Sequence, residues 1–208
     1  MLNAANLSFS SLSAVAVAIG PGSFTGLRIG LSYAKAVAAA SKIAIVGIPS
    51  LDALALCAGS RIAEGAPVYP LIDARKGEVY TGLYRFVTGA LQNTSGDLVV
   101  SLASLVAELV DDDAVVLGYS VAEQARSLAQ AKGRRVTVID NAQLSLSGSF
   151  VAAIGAAKIA QGEADVIATL EPLYLRPPDT AASFGSLKPG EDIHGTPRGR
   201  TYPATPRS

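Results

Sequence analysis

Histidine and cysteine each occur once in this chain, tryptophan is absent, and the 17 basic residues balance the 17 acidic ones. The single cysteine, Cys57, excludes an internal disulfide and cannot by itself supply a cysteine-based metal site. A chain without net charge has no basic field to hold nucleic acid unaided, so a role on RNA would require a partner. No run approaches the roughly 20 apolar residues of a membrane helix, and no basic segment precedes an apolar start. We therefore expect a cytoplasmic protein that does not enter a membrane.

Half of the residues are hydrophobic, and strand and helix patterns alternate along the first third of the chain. Residues 14–19 alternate as a strand, residues 24–41 have helical spacing, and residues 43–48 form the continuous apolar run of a doubly buried strand. A helix then begins with Ser50 as its N-cap and ends near Gly59. This order predicts an α/β fold with parallel strands.

The rest of the chain predicts a second unit and a tail of different character. Residues 68–73 and 79–86 read as the two strands of a hairpin around a polar turn at 74–78, with a further strand near residues 90–93. The other predictions are helices at 101–111, 121–132 and 147–161, strands at 114–117 and 136–139, and an extended segment at 173–176. Residues 177–208 contain six of the 11 prolines and no apolar periodicity, which predicts a disordered tail. We therefore divide the chain into domains at 1–66 and 67–176, followed by the tail.

A glycine-rich turn, Gly20 to Gly30, joins the first predicted strand to the first predicted helix. It is not a dinucleotide fingerprint, because Thr25 stands where the third glycine is required, and it lacks the lysine of a Walker A loop. Two interpretations stay open. The turn has a structural role with Ser23 or Thr25 capping the helix, or its backbone binds an anion. The residues concerned are Gly20, Gly22, Ser23, Thr25 and Gly26.

The helix after this turn has two apolar stripes, so it is expected to pack on two sides. Leu27, Leu31, Ala34 and Ala38 mark one stripe, and Ile29, Tyr33, Ala36 and Ala40 mark the other. One side can cover the sheet. The second stripe fits either the next helix of the same domain or a partner subunit. The residues predicted for a partner interface are Leu27, Ile29, Gly30, Tyr33, Ala36, Val37 and Ala40.

No complete catalytic set is recognisable. Ser23 follows a strand as a nucleophile would, but the Gly-x-Ser-x-Gly pattern is not met and the one histidine, His194, lies in the predicted tail. Ligand-type clusters for a metal are also missing, apart from Asp111-Asp112-Asp113, which we interpret as a solvated helix end. Asp73, Arg75 and Glu78 gather at the predicted hairpin and are interpreted either as a polar site or as surface turn charges.

Three segments of the sequence resemble the TsaB (YeaZ) family, in that family's order and spacing. The first runs from Gly20 to Gly30 and continues through Ala34-Lys35 to Val46-Gly47-Ile48-Pro49-Ser50-Leu51-Asp52-Ala53-Leu54-Ala55. The second is Leu71-Ile72-Asp73-Ala74-Arg75-Lys76-Gly77-Glu78-Val79-Tyr80. The third is Pro172-Leu173-Tyr174-Leu175-Arg176. The resemblance covers the chain up to about residue 177.

The resemblance implies a two-domain, actin-like fold of the sugar kinase/Hsp70 type. It implies a non-catalytic subunit in the synthesis of threonylcarbamoyladenosine in tRNA, next to the anticodon, with a TsaD-type transferase as partner. Further implied partners are a TsaE-type ATPase and a second copy of the chain, with tRNA reached only through the complex. No cofactor or metal is predicted for the chain itself, and ATP or ADP enters at the level of the complex. The helix after the glycine-rich turn and the following helix form the implied interface.

One departure from the family concerns the start of the chain, because family members normally begin with additional strands. We therefore expect a first domain that is truncated at its N-terminus and that exposes sheet edges. Two enzymatic alternatives remain. One is an actin-like ATPase or kinase, and the other is a peptidase.

Overall fold

The computed structural model describes residues 6–108, 114–118, 120–139, 148–176 and 200–203. Its first unit is a parallel pair of strands, β1 (Ala14–Gly20) and β2 (Ala44–Pro49). They are connected by α1 (Phe24–Ser41), and α2 (Ser50–Cys57) follows β2 directly. The predicted strand and helix order of this unit and its parallel pairing are confirmed. Ser50 is the first helical residue instead of the N-cap, a position that Pro49 takes.

The second unit contributes further strands and helices and two more sheets. Its strands are β3 (Val68–Pro70), β4 (Ile72–Arg75), β5 (Glu78–Thr81), β6 (Tyr84–Val87), β7 (Ala90–Asn93), β8 (Leu98–Ser101), β9 (Ala114–Leu117), β10 (Val136–Ile139) and β11 (Thr201–Pro203). Its helices are α3 (Leu102–Glu108), α4 (Ser120–Ala131) and α5 (Gly148–Ala160). Six strands form a sheet in the order β10-β9-β3-β6-β7-β11, and β4-β5-β8 form a smaller antiparallel one. Among the helices of the described ranges, none combines the length and apolar character of a membrane crossing.

The two faces of the first sheet are covered by different helices. Val15, Val17 and Ile19 of β1 pack with the buried residues of α1, whereas Ala16 belongs to the large core that contains α2 and part of α5. Because alternate residues of a strand point to opposite faces, α1 lies on one face and α2 with α5 on the other. Of the two predicted stripes, the one that contains Leu31, Ala34 and Ala38 is buried on the sheet.

The chain returns to the first sheet at α5, the last helix of the second unit. Helix α5 packs on β1, β2 and α2. The Asp165 amide then donates to the Ile45 carbonyl at 2.9 Å, and the Leu173 amide to the Ile19 carbonyl at 2.7 Å. The division into domains at 1–66 and 67–176 stays a prediction, to which the structure adds that residues 148–173 lie largely against the first sheet.

Helix α5 approaches β1 closely at Gly155. A Cβ atom at this position would lie 2.4 Å from the Ala16 Cβ and 3.3 Å from the Val46 Cγ1. Only a residue without a side chain fits at this separation.

Gly155→Ala is therefore expected to destabilise the fold by about 1–2 kcal/mol, because overpacking outweighs the helix propensity gained from alanine. Gly30→Ala in α1 is the matched control, since nothing lies within 4 Å of its Cβ position. The control should raise stability by about 0.5–1 kcal/mol. Urea unfolding of both variants measures the difference, and shifts of the same sign would contradict the close approach.

The prediction that residues 177–208 are disordered is wrong at residues 200–203. Strand β11 pairs antiparallel with β7 and forms the edge of the six-stranded sheet. The backbone amide of Asn93 also donates to the Arg200 carbonyl at 2.9 Å. A three-residue strand leaves no periodicity in the sequence, and the buried Tyr202 and the largely buried Arg200 side chain hold this segment in place. Residues 177–199 and 204–208 lie outside the described residues.

Candidate functional site

The outer face of α1 is apolar and open. Ile29 and Tyr33, one turn apart, leave 67% and 64% of their surfaces exposed, although both are large apolar side chains. Gly30, Ala36 and Ala40 are also exposed, whereas Leu27 and Val37 are half-buried at the boundary with the sheet side. Helix α1 thus brings together all seven residues predicted for a partner interface, and five of them form what we call the outer face: Ile29, Gly30, Tyr33, Ala36 and Ala40.

Helix α2 does not cover this face. Every residue from Leu51 to Leu56 is buried, in the core on the other side of the sheet. The interpretation of the second stripe as the contact with the next helix is therefore not supported. The resemblance also implied that α2 contributes to the partner interface. These six residues are buried, so they present no apolar surface to a partner.

The glycine-rich turn is built tightly at its start. Gly20 has φ +117°, and a Cβ there would lie 2.7 Å from the Leu173 carbonyl oxygen, so glycine is required on both counts. The Ser23 hydroxyl accepts a hydrogen bond from the Gly26 amide at 3.3 Å and thereby caps α1, whereas Thr25 is exposed. The capping favours the structural interpretation of Gly20, Gly22, Ser23, Thr25 and Gly26. Anion binding at this turn stays a prediction.

An aromatic and cationic contact joins the first turn of α1 to Tyr174, which lies in the third segment that resembles the TsaB family. The Arg28 guanidinium lies 3.9 Å above the centroid of the Phe24 ring, and its Nε donates to the Tyr174 hydroxyl at 2.9 Å. The Phe24 and Tyr174 rings are 5.4 Å apart between centroids. Such stacking fixes the orientation of the end of the outer face.

The predicted polar site lies beside the same segment. Asp73, Arg75 and Glu78 all line one cleft of about 350 Å³, next to the N-terminal turns of α4. Two of the polar groups already have structural partners. The Asp73 carboxylate accepts from the Arg75 amide at 2.7 Å, and Glu78 forms an ion pair with Arg176, which also donates to the Ala74 carbonyl. A ligand-binding role for these three residues stays a prediction.

A buried acidic cluster, which sequence reasoning missed, lies between α2, β6, β7 and β11. Tyr84 and Tyr202 donate through their hydroxyls to the two carboxylate oxygens of Asp52, at 2.6 and 2.7 Å. Arg200 Nη2 donates to Asp52 Oδ1 at 2.9 Å and to Asp97 Oδ1 at 2.5 Å. The side chains of both aspartates are fully buried, and that of Arg200 is 12% exposed.

Burial dominates the electrostatics of this cluster. Desolvation raises the pKa of Asp52 above its ordinary value of 3.8, against the opposing effects of Arg200, Tyr202 and Tyr84. Desolvation lowers the pKa of Arg200, but the charges of Asp52 and Asp97 together outweigh it and raise the pKa. Burial also raises the pKa of both tyrosines, so they act as neutral donors at pH 7. With both carboxylates ionised, one negative charge is in excess.

One signal for this cluster is present in the sequence. Asp52 is the single charged residue in the otherwise apolar helix Ser50–Cys57, a pattern typical of a buried and paired charge. Arg200 carries no comparable signal. Cys57 packs against the large core, and burial raises the pKa of its thiol to about 12. His194 lies outside the described residues, within which no group of three or more His, Cys, Asp or Glu could hold a metal ion.

Comparison with known proteins identifies the family. The family model "TsaD: tRNA N6-adenosine threonylcarbamoyltransferase" matches residues 1–186. The tRNA threonylcarbamoyladenosine biosynthesis protein TsaB of Bacillus subtilis is 34% identical over 186 residues, which cover 88% of this chain and 78% of that protein. TsaB of Escherichia coli is 36% identical over 86 residues, or 41% of this chain and 36% of that protein.

Solved structures agree with the sequence matches. YeaZ from Pseudomonas aeruginosa has a TM-score of 0.70 and 26% identity, over 84% of this chain and 78% of that one. The mixed α/β architecture fits the actin-like fold that the resemblance implies. The long match to TsaB and the matched structure show that the chain belongs to the TsaB (YeaZ) family and has its actin-like α/β fold.

Proposed function

We propose that this chain is a non-catalytic dimerisation subunit of the complex that forms N6-threonylcarbamoyladenosine in tRNA. Membership of the TsaB family supports this role, since the relatives from Bacillus subtilis and Escherichia coli are described as biosynthesis proteins for that nucleoside. The transfer of the threonylcarbamoyl group to the adenosine next to the anticodon is assigned to a TsaD-type partner. The balanced charge of the chain suits a subunit that reaches tRNA through a complex.

The observation that carries this proposal is the outer face of α1. An 18-residue helix that leaves two large apolar side chains about two-thirds exposed, with small residues between them, offers a surface on which another helix packs closely. The Phe24–Arg28–Tyr174 contact holds one end of this surface in a fixed orientation. The same face serves a TsaD-type subunit or a second copy of the chain, so the two associations compete.

The remaining assignments follow from this role. A TsaE-type ATPase joins the complex, and ATP or ADP acts there; this chain has no catalytic residues in the proposal. The site of action is the cytoplasm, where tRNA is modified.

The experiment combines size-exclusion chromatography, light scattering and reconstitution. This chain and the TsaD-type protein of the same organism are expected to elute as a one-to-one complex. With the TsaE-type ATPase, ATP and a tRNA transcript, the modified nucleoside should form only when this chain is added, as measured by mass spectrometry. Nucleoside formation at the same rate without it would overturn the proposed function. ATP turnover by the isolated chain would favour the enzymatic alternative.

A further inference from the structure

Arg200 joins two parts of the molecule that are distant in sequence. Asp52 lies on α2 of the first unit, and Asp97 lies between β7 and β8 of the second. One nitrogen of Arg200 donates to both carboxylates. We propose that Asp52, Asp97 and the edge of β7 form a receptor for an extended Arg-x-Tyr segment. Residues 200–203, here called the clasp, occupy this receptor reversibly, and the receptor also accepts the same sequence from outside the chain.

The charges of the receptor select an arginine. Without Arg200, two carboxylates remain whose Oδ1 atoms lie within hydrogen-bond distance of one shared nitrogen position, so they repel each other. A guanidinium presents several donors in a fixed plane and is more weakly hydrated than an ammonium group, so it enters such a site at a lower desolvation cost than lysine.

The rest of the clasp binds by strand addition. Thr201, Tyr202 and Pro203 pair with β7, and the Asn93 amide donates to the Arg200 carbonyl. Tyr202 is buried and reaches the second oxygen of Asp52. Main-chain hydrogen bonds to an open edge supply affinity and two alternate side chains supply specificity, which is the general mode of peptide recognition at sheet edges.

The clasp is held less completely than the core strands. Asp97 Oδ2 and Arg200 Nε are buried without a hydrogen-bond partner among the described residues, and each such atom reduces the free energy gained on docking. The clasp contributes one edge strand of only three residues. A segment of the same sequence on another molecule can therefore compete with the clasp for the receptor.

A labelled synthetic peptide of residues 196–206 tests the receptor by fluorescence anisotropy on the full chain. It should bind the Arg200→Ala chain at least tenfold more tightly than the unaltered chain, whose receptor is already occupied. Two control peptides have equal charge, because each lacks one arginine. The Arg198→Ala peptide should keep its binding, and the Arg200→Ala peptide should lose it. Equal binding of the two control peptides, or no binding of any peptide, would overturn the proposal.

Hydrogen exchange gives a readout that does not depend on a variant. The backbone amide of Asn93 donates to the Arg200 carbonyl of the clasp. The backbone amide of Val115 donates to the Pro67 carbonyl in the sheet interior. In the unaltered chain the Asn93 amide should exchange at least tenfold faster than that of Val115, through release of the clasp alone. Exchange of both amides at one rate, through global unfolding, would contradict a reversible clasp.

Discussion

Ile29→Glu and Tyr33→Glu are each expected to weaken association with the TsaD-type partner by about 30-fold or more. This corresponds to about 2 kcal/mol, the level that marks an interface hot spot. The reason is that a carboxylate buried in an apolar contact has no partner and keeps its desolvation cost. Isothermal titration calorimetry with the purified partner measures the change.

The fold itself should tolerate both substitutions. The two side chains are about two-thirds exposed, so a charged residue at either position stays hydrated in the isolated chain. Surface substitutions of this kind change the free energy of unfolding by roughly 0.5 kcal/mol or less. A urea melt of each variant checks that weaker binding does not come from unfolding.

Val166→Glu is the matched control for the interface. Val166 is a β-branched apolar residue with 66% of its surface exposed, almost the same as Ile29, but it lies outside α1. It should leave partner binding unchanged. Loss of binding in all three variants would point to a general effect of added charge, and unchanged binding in both α1 variants would place the interface elsewhere. Light scattering of the isolated variants shows whether self-association uses the same face.

The first unit could be predicted from the sequence because its signals are local. The alternating run at β1, the glycine-rich turn and the helical spacing of residues 24–41 are consecutive, and the structure reproduces the bounds of α1 without change. The spacing within α1 also predicted two apolar stripes, one of which lies on the sheet. Periodicity could not tell which element covers the other stripe, because that depends on where α2 lies relative to the sheet.

The second unit was predicted less well because sheet membership is not local. Residues 79–86 read as one alternating strand, but Glu78–Thr81 pairs with β4 and β8 while Tyr84–Val87 pairs with β3 and β7. Two strands in different sheets share one pattern of alternation, so sequence alone does not show the break between them. The clasp is the least local feature of the fold, since Asp52 and Arg200 are 148 residues apart in the sequence.

Arg200→Ala is the substitution expected to affect stability most. Removing one partner of a buried ion pair typically costs about 3–5 kcal/mol, because the remaining charges stay buried without compensation. Here that range is an upper limit, since the Tyr84 hydroxyl still donates to Asp52 and the Asn93 side chain still donates to Asp97. Arg126→Ala is the matched control. Arg126 pairs with Glu123 at 3.6 Å on the surface of α4, with the two side chains 39% and 61% exposed, and its loss should cost less than about 1 kcal/mol.

The cost of Arg200→Ala should decrease as the pH falls below 7. Burial already raises the pKa of Asp52, and the charge of Arg200 opposes this rise, so the variant should have a still higher pKa at Asp52. A carboxyl group with a higher pKa in the folded state favours folding at low pH and loses that contribution as the pH rises through the folded pKa. Relative to the parent chain, the variant should therefore recover stability between pH 7 and the ordinary pKa of 3.8. A stability difference that grows on acidification would contradict this assignment.

A double-mutant cycle with Asp97→Asn separates charge from packing. If Arg200 stabilises the fold by neutralising the two carboxylates, Arg200→Ala should cost less in the Asp97→Asn background, by roughly 1–3 kcal/mol of coupling. An equal cost in both backgrounds would mean that the aliphatic stem of Arg200 stabilises the fold by packing. The clasp would then be held by Tyr202 and the β7 pairing, and the receptor would have no preference for arginine. The cycle therefore tests the same charge pairing on which the trans-peptide experiment depends, by an independent measurement.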